Sequence, residues 1–401
     1  MSEQDTMLLS MWTYPWDVQD LGLDTVAAEL RDRAGLNGIS LATSYHAGRF
    51  LQPRSPRRKA YFPEDGTIYF HPTASRWDGI KIRPKLADVI AEGGDVLGDL
   101  VRQRDRTGLA VQCWTVCLHN TRLGMLYPHA CTRNAFGDPN YYSLCPSNPD
   151  ARAYVATMVA DLTATYKPDI VELETIGFMG FAHEYHHEKD GVGLTDEDDF
   201  LLSLCFCDSC LARSAAAGVD GAAAQRTVQR WIVEMCERPL PAPRWPDFAT
   251  RGADVFAPAP EVEAYVRWRF EPVTSLAAEI RDRADPASRT HVLDIDDGWL
   301  SGCNLGDLAG ATDGVTLCVY ARGPDAVATS IARARAVMPP GRTLRAGLRV
   351  FYPEVASAAD VADRTQAAIG AGATGINFYN YGLIPAARLD WVRAACDSVR
   401  P

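Results

Sequence analysis

The stretch LLSMWTYPWDVQD, residues 8–20, decides the fold. Its first half is apolar and suited to a strand, and it runs into Tyr14-Pro15-Trp16-Asp17 without a glycine. A doubly wound nucleotide-binding sheet calls for a Gly-rich phosphate turn after an early strand. That turn is missing here, so the first strand, read as 8–16, opens a different α/β architecture. Outward from it, apolar and β-branched runs alternate with helical patterns. Further strands are expected over 38–45, 109–118, 170–175, 290–296, 315–320, 343–351 and 375–379. Helices are expected over 25–34, 86–106, 149–166, 325–337, 358–371 and 386–396. Eight strand–helix repeats are the count of a (β/α)8 TIM barrel, so residues 1–401 are expected to form a single barrel domain.

Two connections exceed a plain βα unit: 47–85 after strand 2, and 175–289 after strand 4. Long loops at a barrel's C-terminal face build substrate sites. The second loop holds the densest Cys and His content and ends in RPLPAPRWPDF through VFAPAP, too rich in Pro for regular helix.

The chain of 401 residues carries 40 basic and 51 acidic side chains, a net charge of −11. That balance argues against nucleic acid or anionic membranes as partners. No apolar run reaches the roughly 20 residues that span a bilayer. The start, MSEQDTMLLSMW, lacks a basic segment and a cleavable apolar one, so a cytoplasmic enzyme is expected. Its 11 Cys are then reduced thiols or metal ligands. Neither a GxSxG elbow, nor a P-loop, nor a dinucleotide fingerprint is present, which lowers serine hydrolase, kinase and dehydrogenase readings; no organic cofactor is expected.

Strand side chains alternate between faces. In Ile170-Val171-Glu172-Leu173-Glu174, Glu172 and Glu174 are expected to face inward, and in Val292-Leu293-Asp294-Ile295-Asp296, Asp294 and Asp296 likewise. Acids crowded in a dry pocket drive their pKa values apart, giving one protonated acid and one ionised base or nucleophile. A carboxylate pair is the minimum apparatus for cleaving a glycosidic bond. The same acids could instead pair with Arg345 or Arg349 and close the mouth, or hold magnesium. Around them the expected mouth offers Trp16, His46, Trp114, His119, Asn120, Trp299, Tyr320, Arg349, Asn377 and Tyr379 as sugar contacts, because pyranose C–H faces stack on aromatics and hydroxyls need polar partners.

Cys205-Phe206-Cys207-Asp208-Ser209-Cys210, preceded by Cys145 in CPSNPDARAYV, reads as a four-thiolate structural zinc site or as ordinary reduced cysteines. The pair CPSNP … CFCDSC resembles the zinc-binding segment of the family 42 β-galactosidases, and NPDARAYVATMVADLTATY…DIVELET resembles uncharacterised glycosidase-like barrels. The first resemblance implies a (β/α)8 glycosidase with Glu174 as acid/base and Glu354 as nucleophile. Leu173 stands where that family has Asn before the acid/base. From the residues alone, a strand-5 acid is preferred to Glu354, which sits beyond its strand.

His183-Glu184-Tyr185-His186-His187 matches the count of a zinc-protease motif, which requires a regular helix. Nearby glycines disfavour one, so Glu184 is expected to contact substrate instead. PRSPRRK, residues 53–59, could take an anionic group or be a solvated loop. The expectation is a glycoside hydrolase-like enzyme on a small glycoside or oligosaccharide. A metal-dependent lyase, aldolase or isomerase, and a non-catalytic carbohydrate-binding barrel, stand as alternatives; a homo-oligomer is left open.

Overall fold

Register closes the chain into a ring. In the computed structural model, which describes residues 7–183, 187–295, 298–320 and 323–400, eight parallel strands follow one another around it. They are β1 (Leu8–Thr13), β2 (Gly38–Tyr45), β3 (Ala110–Val116), β4 (Ile170–Glu174), β5 (Arg289–Ile295), β6 (Gly314–Cys318), β7 (Thr343–Arg349) and β8 (Gly375–Tyr379). Each pairs with its neighbours in sequence, and β8 returns to β1 with Leu8 beside Gly375 and Met11 beside Phe378. Val171, Leu173, Val292, Leu344, Ile376 and Phe378 take the outer face and are fully buried under the helices. This is the TIM barrel expected from the repeats.

The barrel's interior is polar. Glu172, fully buried, accepts hydrogen bonds from Trp12 Nε1 (2.9 Å), Ser40 Oγ (2.6 Å), Thr316 Oγ1 (3.1 Å), Arg345 Nη1 (3.2 Å) and Asn377 Nδ2 (3.1 Å). The donors come from β1, β2, β6, β7 and β8, so one carboxylate ties together strands on opposite sides of the ring. A buried charge is tolerated when paired and fully hydrogen-bonded. Arg345→Met would strand that carboxylate without its cation and should cost about 3–5 kcal/mol in urea unfolding. The Glu172→Gln/Arg345→Met double variant should recover part of the loss.

Two local expectations are corrected. The first strand ends at Thr13, not at residue 16, because Pro15 starts the helix Pro15–Leu21 and Asp17 Oδ2 accepts the Tyr14 N–H at 3.0 Å. Trp16 therefore leaves the strand. It is fully buried, stacked on Tyr14 at 4.4 Å and packed on Tyr61 at 4.9 Å, and it belongs to the core rather than to a sugar platform. The helix expected over 86–106 is three short ones, Asp88–Gly93, Val96–Arg102 and Arg104–Thr107, the first ended by Gly94 at φ +94°. Elsewhere the strand and helix ends shift by a residue or two.

After β4 the chain leaves the barrel through helices Asp196–Ser203, Asp208–Ala216, Gly221–Glu237 and Pro260–Trp268. Only short turns occupy the Pro-rich part between Glu237 and Pro260. Helix Phe270–Arg283 then returns to the outer layer and packs on Pro149–Tyr166. Among the described residues, no helix is long and apolar enough to cross a membrane.

Candidate active site

Glu174 stands two residues beyond Glu172 on the same inner face, at the end of β4. The chain turns away at once through Thr175, a non-glycine residue at φ +55°. Trp114 of β3, 3% exposed, donates its indole N–H to Glu174 Oε2. Aromatic rings close round this pair: Trp12 lies 6.0 Å from Trp114, Tyr45 4.9 Å and Tyr379 5.9 Å, centroid to centroid. Behind them the hydroxyl of Tyr14 bonds those of Tyr45 at 3.1 Å and Tyr379 at 3.2 Å.

This packed setting shifts the titration of Glu174, itself half-buried beside the cavity. Burial pushes its pKa from 4.5 to about 7, opposed by the Trp114 hydrogen bond and assisted by the negative charge of Glu172. At neutral pH a large fraction of Glu174 is therefore protonated. Trp114→Phe removes the opposing bond, so the pKa should rise further. The alkaline limb of any Glu174-dependent rate should move to higher pH, measurable as a pH–rate profile against wild type.

Three imidazoles flank the mouth. His46 stacks on His119 at 4.1 Å, and His183 meets His119 edge-on at 4.7 Å. Burial lowers the pKa of His46 to about 4 and of His119 to about 2, with the neighbouring imidazoles adding to the effect. Both rings are neutral at physiological pH. His46 Nδ1 lies 2.7 Å from the Ala47 carbonyl and so must donate, leaving Nε2 as an acceptor.

A cavity of about 490 Å³ opens beside Glu174, walled by Ile176–Gly180, His183, Phe200, Leu293 and Leu300. Asp196, Asp199 and Asp294 also line it; sequence reasoning pointed to Asp294 and missed the other two. The run Asp196-Glu197-Asp198-Asp199 opens a helix after a connection with no strand to set its direction. Asp199 accepts the Ala182 N–H, and burial raises its pKa.

The strand-5 expectation is corrected. Leu293 pairs with Glu174, so Leu293 and Ile295 share the inner face and Asp294 lies on the other, yet Asp294 still lines the Glu174 cavity. Its carboxylate accepts the Ile295 N–H at 2.8 Å and lies over Gly298, where a Cβ would stand 2.6 Å from Oδ2. The apolar outer position on β5 belongs to Val292, which is fully buried; Ile295 stays half exposed at the mouth. Asp296 and Glu184 lie outside the described residues. His183 and His187 lie outside any helix, and His187 has φ +50°, which does not suit the zinc-protease motif.

Other expected sugar contacts divide. Tyr320 and Tyr379 remain at the mouth with centroids 6.3 Å apart, and the Arg349 guanidinium lies 4.1 Å over Tyr320 while pairing with Glu354 at 2.8 Å. Glu354 is not in the wall of the Glu174 cavity. Three are corrected to structural places. Asn377 is sealed against Glu172. Asn120 caps helix Thr121–Leu126, accepting the Leu123 N–H and donating to the Gly66 carbonyl. Trp299 packs on Phe200 at 5.0 Å and Phe248 at 5.4 Å. The basic run is partly paired within the fold: Arg54 pairs with Glu29, and Arg58 with Asp20 at 2.9 Å.

Cys145, Cys205, Cys207 and Cys210 come together, all buried. Cys145 Sγ lies 3.5 Å from Cys210 Sγ, 3.6 Å from Cys207 and 3.9 Å from Cys205. A disulfide requires about 2.05 Å. Backbone N–H groups of Ser147 and Arg133 point at Cys145 Sγ (3.4 Å) and Cys205 Sγ (3.3 Å).

No protein-family model matches the chain, and no curated protein does. Solved structures share its fold. An α-L-fucosidase isoenzyme 2 from Paenibacillus thiaminolyticus matches at 15% identity and TM-score 0.56, over 98% of this chain and 49% of its own. This chain thus spans about half of that enzyme's length. The PgaB (BpsB) glycoside hydrolase domain from Bordetella bronchiseptica matches at 15% identity and TM-score 0.56, over 98% of this chain and 99% of its own. The catalytic domain of a β-amylase from Paenibacillus polymyxa matches at 10% identity and TM-score 0.54, over 98% and 97%. The chain has the barrel fold of these glycoside hydrolases.

Proposed function

We propose that the protein is a glycoside hydrolase acting on a small glycoside or oligosaccharide, with Glu174 as its general acid. The observation that carries this reading is a strand-4 carboxyl group that accepts the Trp114 indole N–H and lines a ligand-sized cavity, at the aromatic mouth of a barrel. Glu174 gives its proton to the glycosidic oxygen as the C1–O bond breaks. Water attacks C1 and loses its proton to a second carboxylate, so glycoside plus water becomes sugar plus alcohol. Asp199 and Asp294 are the candidates for the second role, because both line the Glu174 cavity and each accepts a backbone N–H. Asp296, which the sequence offers for the same role, is tested beside them. The neutral imidazoles and the tyrosine hydroxyls supply donors and acceptors for sugar hydroxyls without a competing charge.

The test is hydrolysis of a panel of aryl α- and β-glycosides by wild type, Asp199→Asn, Asp294→Asn and Asp296→Asn. The variant that loses turnover identifies the second carboxylate. Failure of wild type on every glycoside, with sugar binding retained, would favour a non-catalytic carbohydrate-binding barrel. The expectation of a cytoplasmic location belongs to this proposal too.

The four cysteines fit structural zinc. A tetrahedral ion with Zn–S near 2.3 Å sets its sulfurs about 3.8 Å apart, inside the observed spread of separations. Four thiolates leave no open coordination position, so such an ion would fasten the loop after β4 to the start of helix Pro149–Tyr166 and take no part in bond cleavage.

A further inference from the structure

A second cavity, of about 460 Å³, lies behind the wall of the first. Ala182 and Ser203 line both. The dividing segment, Gly180–Ala182, is fixed from each side. The Tyr142 hydroxyl reaches the carbonyls of Gly180 at 2.9 Å and Phe181 at 2.6 Å, and Ser203 Oγ accepts the Phe181 N–H at 2.7 Å. Tyr142 belongs to the hairpin Cys131–Arg133 and Pro139–Leu144, which a His119–Ser143 bridge holds against the barrel mouth. Cys145 follows this hairpin directly, so the cysteine cluster anchors the same wall.

The second cavity has the chemistry of a sugar site. Tyr141, 39% exposed, and Phe181, 46% exposed, line it, together with Lys189 and with Asn134 and Asp138, which bond each other at 2.9 Å. Singly exposed aromatics need no explanation, but two lining one ligand-sized cavity do. Both volumes lie in the ~300–1,000 Å³ range of small-molecule sites. We infer that this second cavity is a distal subsite for further units of an oligosaccharide whose scissile bond lies at Glu174. The inference rests on the glycosidase reading for the position of the cut, and on the adjacency of the two cavities at Ala182 and Ser203 for placing further units in the second.

The probes are galacto-, cello-, malto- and chito-oligosaccharides of one to five units, with calorimetric binding to full-length Glu174→Gln protein, which leaves the ligand intact. Affinity for at least one series should rise tenfold or more between one unit and three. Adding Phe181→Ala or Tyr141→Ala should lower affinity for the trimer tenfold while leaving the monomer unchanged. Circular dichroism and an unchanged monomer affinity exclude misfolding of the variants. Length-independent binding, no binding in any series, or trimer affinity indifferent to both substitutions would overturn the subsite. Failure of the catalytic reading gives a different result: length-dependent, Phe181-dependent binding with no turnover by wild type.

Discussion

Replacing Glu174 with Gln should lower kcat for an unactivated oligosaccharide by about 10²–10⁴-fold, the span of a positioned general acid. Gln keeps the shape and can still accept the Trp114 N–H, but it has no proton to give. The loss should shrink for aryl glycosides whose leaving phenolate is already stable, because departure of such a group needs little protonation. A uniform loss across leaving groups would assign Glu174 to substrate binding instead. The same variant carries a stability signature. Between pH 4.5 and about 7 the folded protein keeps a proton that the unfolded chain releases, so stability falls as pH rises through that window. Glu174→Gln removes this penalty. It should raise the melting temperature at pH 8, by up to about 3 kcal/mol of stability, and leave it unchanged near pH 4.

The second large effect concerns the cysteines. Purified protein should contain one zinc per chain, and Cys210→Ser should lose it. Removing a structural metal should destabilise the protein by about 5 kcal/mol or more, because the ion's binding energy is folding energy. Damage should begin locally. The cluster joins the end of the Pro139–Leu144 hairpin strand to the start of helix Asp208–Ala216, so a chelator should expose the 175–269 excursion to protease before the barrel. Full-strength protein with no bound metal and unchanged proteolysis would leave the four thiols as ordinary core residues.

Much of this architecture is legible in the sequence, for identifiable reasons. Eight apolar runs at βα spacing leave few alternatives, and Gly38–Tyr45, Pro149–Tyr166 and Gly375–Tyr379 end where the pattern ends. Glu172 and Glu174 point inward as alternation requires, because the flanking Val171 and Leu173 suit the helix layer. The same rule misleads on β5. Leu293 and Ile295 look like outer-layer residues, yet register with β4 places them inside and Asp294 on the other face. A one-residue slip exchanges the faces, and composition alone cannot fix it where both faces mix apolar with polar residues, as on β5. Trp16 fails for another reason: Pro15 converts a strand end into a helix start. Asn120 and Asn377 have the polarity of sugar contacts but spend it on a helix cap and on the buried carboxylate. Asp196 and Asp199 reach the cavity only through tertiary folding of the excursion after β4, which carries no periodic signal for their direction.

The central claim is that a protonated Glu174 drives the reaction, and the pH dependence of kcat/KM tests it most directly. For wild type the rate should fall as pH rises through about 7, since deprotonation removes the acid. Glu174→Gln should show low activity with that alkaline limb absent. An unchanged limb in the variant, or undiminished turnover, would contradict the account and place the proton donor elsewhere.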